Sequence, residues 1–173
     1  MRMPPLLPEV TLARVLRLAR FDGTVLLAIA GTCALLAAAA ADTVGAVIGL
    51  LVAGAGALEL HGVGLLRQGS ARGLSRLVTS QLLLLGTILG YCAFRMVHAE
   101  LPPVPDRFAV LIDTAAQQLK MSRGDYLRFV QRIGLQMVAV ASLLYQGGMA
   151  LYYLRRRADV IRALEDEAPA GGP

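Results

Sequence analysis

Glu59, His61, Gln81 and Gln146 are the residues of this chain most able to do chemistry, because each interrupts an otherwise apolar run. A carboxylate in hydrocarbon is costly unless it is paired, hydrogen-bonded or protonated. Two amides and an imidazole at similar depth would meet that need, so these four are expected to converge in one slab of the membrane. With a rise of about 1.5 Å per residue, Glu59 falls about 7 Å from the centre of its run. It reads as a proton-carrying or cation-binding group, as a structural polar staple, or as a residue reaching the headgroups beside Arg67. His61 is a poor candidate for a haem or metal ligand. A bis-histidine site needs a second inward His at the same depth, and His98 lies at the far end of its own run.

Asp42, Tyr91, Arg95 and Gln136 form a second expected polar layer, toward the other membrane face. Arg95 is expected to snorkel to headgroups or to pair with Asp42 or Glu100. Cys33 and Cys92 lie inside apolar runs and read as small buried hydrophobes. The chain has no Ser-His-Asp set, nucleotide-binding loop, paired carboxylates or C-x-x-C spacing to suggest redox or metal work. It therefore reads as a non-enzyme without cofactor or metal.

The elements that must hold these side chains are four apolar stretches: 24–41, 43–66, 77–97 and 133–154. Crossing the roughly 30 Å hydrocarbon layer takes about 20 mostly apolar residues in a helix. The 173-residue chain is 56% hydrophobic, and its mean hydropathy is +0.60. The expected fold is all-α: an integral membrane bundle of four transmembrane helices with amphipathic interfacial helices. Spans one and two are joined by almost no loop, which predicts a tight hairpin at Asp42. Within residues 1–22, the first seven are expected to be loose. The rest has Leu12, Val15, Leu16 and Ala19 at helical spacing with Arg14, Arg17 and Arg20 opposite, which suits an in-plane helix on an anionic leaflet, the alternative being a simple extension of the first span into water. Pro102 and Pro103 should stop any helix. A second amphipathic segment spans 106–132, and Ser122 with Asp125 has the form of a capping box. Residues 158–173 read as a short helix followed by disorder. The stretch before Leu26 is too long and holds Glu9 and Asp22, which argues against a cleaved signal peptide.

Basic residues set orientation. Eleven lie at the two termini and the 67–76 connector, and six lie between Arg95 and Arg132. Both termini should therefore face the cytoplasm, with 106–132 outside. The net charge of +5 follows from this flanking pattern rather than from nucleic-acid binding. Arg predominance and Ala-rich spans point to a bacterial inner membrane. Gly45 and Gly49, and Gly86 and Gly90, have the spacing that lets helix backbones approach closely. The expected function is a structural or accessory subunit that packs with itself or with a larger membrane complex. The alternative is a small proton-coupled transporter or channel using Glu59, with a lipid- or quinone-acting enzyme third.

Overall fold

The computed structural model describes residues 8–98 and 105–167. The loose start, the Pro102–Pro103 break and the disorder expected at the end of the chain fall on residues outside those described. Six helices follow in order: α1 (Pro8–Ala39), α2 (Thr43–Arg67), α3 (Arg72–Val97), α4 (Asp106–Gln118), α5 (Arg123–Arg155) and α6 (Arg157–Glu167). Among the described residues there is no strand. Four of the helices, α1, α2, α3 and α5, are long and apolar enough to cross a membrane. The chain divides into two compact units, one of residues up to Thr87 with Leu144 onward, the other Ile88–Leu143.

In the first unit, α1 and α2 form a hairpin. Ala41 closes α1 in the left-handed region, at φ 57. Asp42 then caps α2 by accepting a hydrogen bond from the Gly45 amide at 2.9 Å. Small residues draw the two helices together. A Cβ at Gly49 would lie 2.9 Å from the Ala34 Cα, and one at Gly56 would lie 2.8 Å from the Leu27 amide nitrogen. Only hydrogen fits at either position. The start of α3 approaches α2 in the same way, with a Cβ at Gly73 reaching 2.5 Å from the Gly62 carbonyl oxygen. Ser80 strengthens this seam by donating its hydroxyl to the Ala55 carbonyl at 2.8 Å.

Residues 8–22 and the first span are one uninterrupted helix. The in-plane helix expected there is instead an extension of the span. Its apolar stripe has found protein rather than lipid. Leu12, Val15 and Ala19 join Val63 and Leu66 of α2, Leu74 and Leu77 of α3, and Tyr153 of α5 in one core. Val160, Ala163 and Leu164 of α6 complete it at i, i+3, i+4 spacing. An amphipathic stripe says only that something apolar covers it, and α6 supplies that cover. Farther along the hairpin, Leu35, Leu36 and Leu50 stay largely exposed, the pattern of a surface whose solvent is lipid.

The second unit is organised differently. Ser122 accepts from the Asp125 amide at 3.2 Å and donates its hydroxyl to the Asp125 carboxylate at 2.6 Å, which starts α5. Two exposed ion pairs accompany this cap: Arg123 with Asp113 at 3.6 Å, and Arg128 with Asp125 at 3.0 Å. Phe108 and Leu111 of α4 remain exposed.

Candidate functional site

Each of the four long helices brings a polar side chain to one point in the first unit. Asp22 comes from α1, Glu59 from α2 and Gln81 from α3, while α5 contributes Tyr145 and Tyr153. The hairpin fixes the first two. Asp22 stands nineteen positions before Ala41 and Glu59 eighteen positions after it, so folding the chain at that turn sets them at one level. Gly23 and Gly56 let the backbones close there, since a Cβ at Gly23 would meet the Gly56 carbonyl oxygen at 3.1 Å.

Gln81 bridges the pair. Its Nε2 donates to Asp22 Oδ2 at 3.2 Å and to both Glu59 carboxylate oxygens at 3.1 Å. An amide nitrogen carries two hydrogens. One serves Asp22 and the other is shared by the two oxygens of Glu59. Tyr153 donates its hydroxyl to Glu59 Oε1 at 2.9 Å, and Tyr145 donates to Asp22 Oδ1 at 3.1 Å. Glu59 and Gln81 are completely buried, and Asp22 is 9% exposed. Among the described residues no Arg, Lys or His makes an ion pair with either acid. The buried Gln81 Oε1 has no hydrogen-bond partner. The centre thus holds two carboxyls, three neutral donors and one idle acceptor.

Two carboxyls bonded to one nitrogen are about 6 Å apart or closer. At an effective dielectric constant of about 20, two like charges at that distance repel by about 3 kcal/mol. Each carboxylate also has more acceptor sites than its two neutral donors fill. A single positive charge would relieve both problems. A small cation would find only oxygen ligands here, the type suited to hard ions.

The chain matches no known family model, curated protein or solved structure.

The four residues expected to converge do so only in part. Glu59 and Gln81 meet. His61 is exposed on α2, because it lies two positions from Glu59 and so points to another side of the helix. Gln146 is buried, but its Oε1 finds no partner and it makes no bond to the cluster. Its neighbour Tyr145 makes the contact instead. Three site residues escaped the sequence reading. Asp22 entered that reading only as a charge that argues against a cleaved signal peptide, and Tyr145 and Tyr153 were not singled out as site residues. Near-equal spacing about Ala41 was the signal that could have revealed the carboxyl pair.

Asp42, expected in an outer layer, is exposed and serves as the cap of α2. In the second unit Tyr91 is half-buried and Gln136 is exposed. Arg95 lines a small cavity of about 40 Å³ there with Arg128 and Arg132. Gly45 and Gly49 face Ala37 and Ala34 of α1, whereas a Cβ at Gly86 or Gly90 would meet nothing within 4 Å. Among the described residues, no close backbone approach is found at the latter pair. The packed face of α3 carries Leu74, Leu77, Gln81 and Leu84, and Gly86 and Gly90 point away from it. Cys92 is buried, but Cys33 is exposed, which corrects its reading as a buried hydrophobe: it lies on the outer surface of α1.

Proposed function

We propose that this chain is a small bacterial inner-membrane protein that binds and releases a proton or a small cation at Asp22 and Glu59, as a compact coupled transporter or channel would. The observation that carries this reading is the sharing of one Gln81 amide by two buried carboxyls with no basic partner. A purely structural acid would be served as well by one Arg, which would fix its charge permanently. Neutral donors leave the charge exchangeable. In the proposed arrangement both termini are cytoplasmic, the centre lies in the cytoplasmic half of the membrane, and no catalytic step is involved.

Reconstitution into vesicles with an internal pH-sensitive dye tests this. An imposed gradient should drive proton movement through the wild type. Glu59→Gln keeps shape and most hydrogen bonding but removes the exchangeable charge. It should leave a folded protein with that flux lost, and a Glu59→Gln protein with full flux would rule the reading out.

A second reading, an accessory subunit packed with itself or with a larger membrane complex, is favoured by one observation. Gly86 and Gly90 present an open small-residue surface on α3. Mass measurement after extraction in mild detergent separates the two readings. A lone chain that still moves protons supports the first, and an obligate partner supports the second.

A further inference from the structure

A groove of about 350 Å³ lies in the first unit between the start of α3 and the α5–α6 junction. Arg72 and Arg157 line it, with Ser75, Val78 and Leu154 between them. We infer that this groove holds one anionic phospholipid, its phosphate on Arg72 and Arg157 and an acyl chain along Val78 and Leu154. The inference does not depend on the proton reading.

Charge is the first argument. Both arginines are exposed, and no described carboxylate lies within ion-pair distance of either. Asp159, the acid nearest in sequence to Arg157, is engaged by Arg156 at 3.4 Å. Two guanidinium groups therefore flank one groove with their donors uncommitted, and guanidinium suits phosphate oxygens. Ser75 makes no side-chain hydrogen bond among the described residues and offers a third donor. Thr79 is already spent, donating its hydroxyl to the Ser75 carbonyl at 2.9 Å.

The second argument is polarity along the helix axes. Helix α3 starts at Arg72 and runs toward Val78, while α5 runs from Leu154 toward its end, with Arg157 opening α6. The charged residues therefore share one end of the groove and the apolar residues the other. From Arg72 to Val78 the rise is about 9 Å, close to the thickness of one headgroup layer, about 5–8 Å. That order, anion outward and hydrocarbon inward, is the order within a phospholipid. It does not match a soluble phosphate, which has no use for the apolar end. Tyr153 also lines the groove, and its hydroxyl is committed to Glu59. A lipid seated here would lie against a residue of the buried centre.

The test uses the full chain in nanodiscs of phosphatidylcholine doped with phosphatidylglycerol, with retained lipid read by native mass spectrometry. Wild type should retain phosphatidylglycerol in preference to phosphatidylcholine. Arg72→Gln with Arg157→Gln should weaken that retention by about thirtyfold, from roughly fivefold per basic residue. Arg14→Gln with Arg162→Gln, two exposed arginines outside the groove, should change it by less than about threefold. Equal loss in both double variants would reduce the effect to bulk surface charge and overturn the site. A wild type with no preference overturns it whether or not the variants fold. Glycerol phosphate in solution should not displace the lipid, and displacement at equal concentration would replace a lipid site with a soluble phosphate site.

Discussion

The buried acids of the first unit and the ion-paired acids of the second are satisfied in opposite ways. In the second unit Asp113 and Asp125 are exposed and paired with Arg123 and Arg128. In the first, Asp22 and Glu59 are buried and meet only an amide and two phenols. An exposed pair costs little to form and adds little, about 0–1 kcal/mol. A buried acid without a cation is expensive, and Asp22 and Glu59 offset that cost with neutral donors. The difference teaches that an ion pair marks where a charge is parked. Neutral donors around a buried carboxyl mark where it can change.

The largest expected effect comes from Gln81→Leu. It removes the one donor common to both acids, and a buried polar group left unsatisfied costs about 1–3 kcal/mol, more when charged. With two groups affected, the unfolding midpoint in detergent should fall by the equivalent of about 3 kcal/mol or more. An unchanged midpoint would show that the first unit does not depend on its neutral donors, and the contrast would collapse.

Tyr153→Phe is milder. The ring stays in the core and only the hydroxyl on Glu59 is lost, for about 1–2 kcal/mol. If the same substitution at Tyr145 cost as much, Asp22 and Glu59 would be equally dependent on their phenols, despite the greater burial of Glu59.

The smallest effect lies in the second unit. The Ser122 hydroxyl holds the Asp125 carboxyl below its usual value, against a smaller opposing desolvation and with lesser help from Arg128. A depressed folded value means a contribution present above the unfolded value, about 3.9, and lost as pH falls through the folded one. Amide exchange at the first turn of α5 should therefore quicken only in that acid window. Asp125→Asn should quicken it at neutral pH and remove the acid-dependent step.

Much of the architecture is legible in the sequence, because hydropathy reports directly on four long apolar helices. Ser122 is legible too, since a cap is a local rule. What hydropathy cannot report is the facing of a helix. Gly86 and Gly90 have the same spacing as Gly45 and Gly49, but spacing does not say which side of α3 is covered. The Leu12, Val15 and Ala19 stripe fits a leaflet and a protein core equally well, and α6 decided between them. Of the centre, Glu59 and Gln81 are visible because they break apolar runs. Asp22 and Tyr153 sit where polar residues are common, near the ends of spans, Tyr145 is one tyrosine within an apolar run, and only the register of the hairpin singles Asp22 out.

The turn at Ala41 and Asp42 also has a consequence for biosynthesis. With no loop to cross, α1 and α2 can enter the bilayer as one folded piece while the rest of the chain is still on the ribosome. Asp22 and Glu59 then face each other before Gln81 exists. At about 5–20 residues per second the amide follows a second or more later. The nascent hairpin is an unfinished site, with two acceptors waiting at one level. A span that carries a glutamine is a poorer passenger for the translocon than a purely apolar one. Here the two acids would give that polar group its hydrogen-bond partners on arrival.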